Sequence, residues 1–200
     1  MSYDTERLIK NARTALPGAV DSVILLELFN VLNEFFQDTN IWQEDIAFTV
    51  LGSETTDTIF YIEPESVSSV VRLMSLKDSV GFPINGNMAI PGEVTLLTPP
   101  GNAGTYVATV SLTVNDPTQR DGYPEFPEWI LNKYSLGILD GVLGRMMSQP
   151  SKPYLNIQLA TYHTKKFRNA VSVASTESDH RNVYGRQAWA FPQTFATRRR

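Results

Sequence analysis

Cysteine is absent from the 200 residues of this chain. That excludes disulfides and thiolate metal sites, leaves packing and subunit contacts to stabilise the fold, and suits a reducing compartment. Histidine is scarce, with only His163 and His180, and the longest apolar run, Val23 to Leu26, is far too short to cross a bilayer. Residues 1–10 hold no apolar signal core, so a soluble chain with no export and no membrane partner is the expectation. No GxxxxGK run supplies a phosphate-binding loop, and Gly81, Gly86 and Gly92 read as turn formers. Internal repeats, heptads and low-complexity blocks are lacking as well.

These absences weigh against an enzyme. His163 has no carboxylate or second histidine at metal-ligand spacing and neighbours Lys165 and Lys166, which reads as a surface histidine rather than a ligand. Ser178-Asp179-His180 falls in a polar stretch, 176–182, that reads as loop, and adjacency in sequence does not make a catalytic triad. Glu63 and Glu65 flank Pro64, and Glu44-Asp45 follow Trp42; without an acid in an apolar pocket these are expected to be solvated turn charges. No catalytic, cofactor or metal residue is assigned, and no cofactor is expected.

What the chain does contain is ordinary globular material: 42% hydrophobic residues, enough for one sizeable core or two small ones. The net charge of −4 hides an asymmetry, because residues 1–120 carry 6 Lys/Arg against 15 Asp/Glu and residues 121–200 carry 11 against 6. An acidic front and a basic back suit two different neighbours, or subunits docking front to back, better than one nucleic-acid face; a solvated mixed surface is the alternative.

Apolar periodicity divides the chain. Asp4 or Thr5 is placed to cap a first helix running to about Ala15, and Leu16-Pro17-Gly18 ends it. Ile24, Leu28, Val31, Leu32 and Phe35 form one stripe of a second helix over about 21–37, with Phe35 and Phe36 expected in the core. From 46 to 114 β-branched and aromatic residues cluster between turn formers, predicting strands at 46–51, 58–62, 67–76, 92–97 and 105–114. Asn85-Gly86 is the hairpin signal, and Tyr106, Ala108, Val110, Leu112 and Val114 alternate onto one face.

Pro124 and Pro127 open a third helix with Glu128 in its first turn, carrying Ile130, Tyr134, Ile138, Leu139, Val142, Leu143 and Met146 to about Ser148. Gly137, Gly141 and Gly144 lie along it and cost about 1 kcal/mol each in helix propensity, so the groove they form is expected to pack closely against the second helix or another subunit. The break at 149–153 leads to a fourth helix from about Pro153 to Ala174 with Leu155, Leu159, Tyr162, Phe167 and Val171. The fold class is thus α+β: about four helices in a bundle, an inserted antiparallel β-sandwich or barrel, and an extended arm. The divisions are 1–45, 46–118, 119–176 and 177–200.

The arm carries Tyr184, Trp189, Phe191 and Phe195 without helical or strand period and closes on Arg198, Arg199 and Arg200. Those rings need a surface the segment does not itself provide, which makes them candidate partner-binding residues. Folding back on its own domain, or disorder, is the alternative.

Two helices, a β insert, a helix entered through Tyr123-Pro124-Glu125-Phe126-Pro127-Glu128-Trp129-Ile130, then a last helix and arm resemble the head-to-tail adaptors, or tubular tail protein A, of short-tailed bacteriophages. The stretch from Leu16-Pro17-Gly18-Ala19-Val20 to Leu28-Phe29-Asn30, and Asp140-Gly141-Val142-Leu143-Gly144 with Met146, Met147, Gln149 and Pro150, are also similar to phage neck proteins. As architecture the resemblance spans nearly the whole chain. It implies a homo-oligomeric ring, usually of twelve copies, between the portal protein and a tail or nozzle protein. Such a ring is part of the virion, is assembled in the host cytoplasm, and lets genome DNA through its lumen without sequence recognition. Acidic residues would let DNA slide, because like charge forgoes the counterion release that makes backbone binding tight. The competing class is a tail-associated module binding a host receptor or carbohydrate, with Tyr61, Tyr106 or Tyr123 as stacking rings, although Tyr61 and Tyr106 sit in strand patterns and are expected in the core.

Overall fold

A computed structural model describes residues 3–65, 68–115 and 124–181. Over these the chain is α+β, with four helices and two three-stranded antiparallel sheets. The element order is α1 (Tyr3–Ala15), α2 (Asp21–Thr39), β1 (Gln43–Val50), β2 (Ile59–Tyr61), β3 (Ser68–Lys77), β4 (Gly86–Ile90), β5 (Glu93–Leu96), β6 (Gly104–Val114), α3 (Glu128–Met147) and α4 (Ile157–Arg181).

Helix α2 forms because its apolar residues fall on one side, and Ile24, Leu28, Val31, Leu32, Phe35 and Phe36 are all buried. Burying each such large side chain contributes about 1.5–3 kcal/mol. The helix closes at Asn40, whose left-handed φ of 48° suits asparagine and whose N–H donates to the Phe36 carbonyl at 3.0 Å. In α1, Asp4 and Thr5 lie inside the helix, since it begins at Tyr3, and neither is the expected cap.

Strand β6 is the centre of the first sheet, between β1 and β3, and β5 is the centre of the second, between β2 and β4. The predicted face of β6 is real: Tyr106, Ala108, Val110, Leu112 and Val114 are buried. Its far half is buried on the other side too, where Thr113 Oγ1 donates to Asn33 Oδ1 of α2 at 2.6 Å. Phe48 of β1 meets Phe60 of β2 and Tyr106 of β6 at ring-centroid distances of 4.9 and 6.0 Å, so the two sheets share apolar side chains.

The hairpin lies elsewhere than Asn85-Gly86. The chain reverses after β3 at Asp78, whose N–H donates to the Phe82 carbonyl at 2.9 Å and whose Oδ1 accepts from the N–H groups of Val80 and Phe82, with Gly81 at φ 94°. One carboxylate satisfying two turn amides outcompetes the Asn-Gly signal. Gly86 instead starts β4, where a Cβ would come within 2.7 Å of Leu76 Cδ2. Pro91-Gly92 makes the β4–β5 turn, with Gly92 at φ 85°.

Helix α3 starts at Glu128, directly after Pro127, and Ile130, Tyr134, Ile138, Val142, Leu143 and Met146 are buried. Helix α4 departs from expectation at both ends: it begins at Ile157, and it runs on through 176–181, the stretch read as loop. Ser178 explains the extension, for it is buried and its Oγ donates to the Asn40 carbonyl at 2.9 Å while accepting from Gln43 Nε2 at 3.1 Å. Tertiary hydrogen bonds to the end of α2 hold the last turn that its polar composition does not favour. Among the described residues no helix is long and apolar enough to cross a membrane.

Candidate functional site

The glycines of α3 set the geometry of the helical layer. A Cβ on Gly137 would lie 2.4 Å from Ala170 Cβ, one on Gly141 2.6 Å from Val31 Cγ1 and 2.9 Å from Phe167 Cδ2, and one on Gly144 2.7 Å from Thr164 Oγ1. Helix α4 therefore runs antiparallel along α3 at glycine distance, with α2 closing over Gly141. This packing fills the groove of Gly137, Gly141 and Gly144 within the chain: of the two expected partners, the second helix or another subunit, the second helix covers Gly141, and α4 lies along all three. It also reassigns the buried line of α4 to Ala160, Phe167, Ala174 and Ser178, leaving Leu155, Leu159 and Tyr162 exposed. A groove made by glycines admits a neighbouring backbone, and small side chains are what fit at that distance.

Polar pairs pin the same interface. His163 is no isolated surface residue: its Nδ1 donates to Asp140 Oδ1 on α3 at 2.6 Å, and both side chains are only 17% exposed. The pair is 23 positions apart on different helices, so sequence spacing did not reveal it. Glu177 takes Lys133 Nζ at 2.5 Å and the Tyr134 hydroxyl, while Arg145 reaches Glu34 at 2.5 Å. On the exposed side of α4, Lys166 Nζ stands 4.7 Å from the centroid of the Tyr162 ring, and the hydrogen bond that the ammonium donates to the tyrosine oxygen holds the lysine pKa above its ordinary value.

A concavity lies where the helices meet the β strands, a cleft of about 760 Å³. Ile41, Trp42 and Ser178 are its buried floor, Phe126, Pro127 and Trp129 its wall, and Glu44, Glu65 and Glu125 its acidic rim. The floor is stiff: the Phe36 ring stacks edge-on to Trp42 at 5.4 Å and to Phe126 at 5.6 Å. Glu44 is drawn to Glu65 by the Glu65 backbone N–H, which donates to Glu44 Oε1 at 3.0 Å. Glu44 and Asp45 thus belong to strand β1 and not to a turn, and Asp45 Oδ1 accepts from Thr109 at 2.6 Å. Among the described residues no group of three or more His, Asp or Glu is placed to hold a metal ion. Chemically, the cleft offers aromatic faces beneath carboxylates, an arrangement for a cationic, ring-bearing ligand.

Of the aromatic candidates, Tyr106 is buried with its hydroxyl donating to the Asn102 carbonyl at 3.0 Å, but Tyr61 is 70% exposed and not in the core. The short strand β2 alternates, so Phe60 takes the inward position and Tyr61 the outward one. Ser178 and Asp179 stand in helix α4, together with His180, and Ser178 is spent on Asn40 and Gln43. Tyr123, Tyr184, Trp189, Phe191, Phe195, Arg198, Arg199 and Arg200 lie outside the described residues. The cleft was missed in the sequence because Glu44, Glu65 and Glu125 come from three separate segments; the exposed ring of Trp129 two residues after Pro127 is the one local sign of it. No family model matches the chain, and no curated protein matches it.

Proposed function

We propose that the chain is a structural head-to-tail adaptor of a short-tailed bacteriophage, a helical bundle with an inserted antiparallel β-sandwich that assembles as a ring, of about twelve copies by resemblance, between portal and tail. Its place is the neck of the virion, where genome DNA passes without being read. The observation that carries this reading is exposed large apolar side chains on different parts of the chain: Leu51, Ile59, Tyr61, Val80 and Phe82 on the β strands and their turns, and Leu155, Ile157, Leu159 and Tyr162 on and just before α4. A ring is built from heterologous contacts, in which one patch of a subunit meets a different patch of the next. Exposed apolar surface in two places on one chain supports that kind of closure.

The test uses two variants, Phe82→Asp and Leu159→Asp, examined by sedimentation and negative-stain imaging. Wild type should form closed rings alone or on purified portal. Each variant alone should remain a monomer, and an equimolar mixture should stop at two-subunit species, because only one productive interface is left between them. Monomeric wild type in the presence of portal would sink the adaptor reading.

A second reading is favoured by Tyr61 alone, since a tyrosine 70% exposed beside Ile59 is the kind of ring that stacks on a sugar. Glycan binding lost in Tyr61→Ala, with ring assembly unaffected, would support a receptor-binding module.

A further inference from the structure

We propose that the cleft between Trp42, Phe126 and Trp129 is the docking site for the C-terminal segment, residues 182–200, of the same molecule. The occupant is another part of the chain, so the inference stands whether or not the protein is an adaptor. Three observations select it.

The first is chemical complementarity. The cleft presents Glu44, Glu65 and Glu125 over aromatic walls, and among the described residues that line it none is Lys or Arg. After Asp179 the chain has no acidic residue at all, and 182–200 carries Arg186, Arg198, Arg199 and Arg200 together with Tyr184, Trp189, Phe191 and Phe195. Arginine against carboxylate and over an indole face, with rings in an aromatic trough, is the pairing such a surface recognises.

The second is position. Ser178 is in the cleft floor and Arg181, the last described residue of α4, follows three positions later, so the segment is joined to the fold within about one turn of the cleft. Nineteen residues span up to about 60 Å when extended, so reach places no limit on crossing it. The third is tethering. A segment anchored there has an effective concentration of order millimolar, which a free neighbouring copy does not match in dilute solution. Even a peptide affinity of about 0.1 mM would then keep the cleft occupied about nine-tenths of the time.

Two measurements on the full chain test this. In the first, Trp129 is replaced by p-benzoylphenylalanine, and a mixture of ¹⁵N-labelled and unlabelled protein is irradiated. Cross-links from position 129 to residues 182–200 should join peptides of the same isotopic composition. Mixed-isotope cross-links would overturn the same-molecule assignment in favour of a neighbour's segment, and cross-links only to other parts of the chain would overturn the site. In the second, unsubstituted protein is exposed to trypsin, and cleavage after Arg186 is followed at low and high salt. Docking should slow it about tenfold at low salt, with the protection lost at high salt and in the Glu44→Lys, Glu125→Lys double variant. Equal cleavage rates in wild type and in that variant at low salt would overturn the proposal.

Discussion

Gly141 lies where α2, α3 and α4 meet, with Val31 on one side and Phe167 on the other. Gly141→Leu is therefore expected to destabilise the single subunit by about 1–3 kcal/mol or more, because the packed side chains on both sides must move. In a chain this long that lowers the melting temperature by about 2–4 °C for each kcal/mol, read by calorimetry on the monomer; unchanged melting would mean that α4 does not pack where described. His163→Ala leaves Asp140 half-buried without its imidazole and is expected to cost about 1–3 kcal/mol in urea unfolding, a loss that a surface histidine would not show. Glu54 has a pH signature. The Leu51 N–H donates to Glu54 Oε1 at 2.5 Å, and that bond above all holds the carboxyl pKa below its ordinary value. A carboxyl lowered on folding contributes stability above its unfolded pKa and loses it as pH falls through the folded one. Protection of the Leu51 amide from hydrogen exchange should therefore decline with acidification across that window, and Glu54→Gln should abolish the decline; protection that is independent of pH in wild type would refute the assignment.

Among the elements, the β3–β4 connection shows how one carboxylate overrides a turn signal. Asp78 organises the reversal through Val80 and Phe82, whereas Asn85 is an exposed residue just before β4. Asp78→Ala should cost about 1 kcal/mol and Asn85→Ala less than about 0.5 kcal/mol, compared by chemical denaturation; the opposite order would restore Asn85-Gly86 as the hairpin. The α3–α4 pair carries a related lesson. Apolar periodicity located α4, but the large residues that mark its stripe are partly on the outside, since the face turned toward the glycines is made by Ala160, Thr164, Phe167 and Ala170. Helix α2, by contrast, buries the whole stripe read from its sequence, Ile24, Leu28, Val31, Leu32 and Phe35.

Across the whole molecule, charge separates along the chain: the elements up to β6 are rich in Asp and Glu, and the last helix and the segment after it are rich in Lys and Arg. If the basic residues serve protein contacts, including Arg198, Arg199 and Arg200 against the cleft rim, the isolated protein should bind duplex DNA no tighter than about 10⁻⁴ to 10⁻⁶ M at physiological salt, with a shallow salt dependence. Fluorescence anisotropy decides the matter. A sub-micromolar dissociation constant that disappears when Arg198, Arg199 and Arg200 become alanine would make the segment a DNA-gripping element and count against both the conduit reading and the cleft as its dock.

The chain by itself determined what depends on neighbours in sequence: four helices around a β region, the stripe of α2, the alternating face of β6, and the start of α3 after Pro127. Each of these is a pattern of burial about an element's own axis, which residues three, four or two apart record directly. Tertiary structure alone decided what depends on distance through space. It gave the glycine groove to α4 and α2 of the same chain, extended α4 to Arg181 through the bonds of Ser178 to Asn40 and Gln43, paired His163 with Asp140, and gathered Glu44, Glu65 and Glu125 over Trp42 and Trp129. Periodicity states which side of an element is covered and carries no record of the partner that covers it, so contacts between segments tens of residues apart arise only when the packed core brings them together.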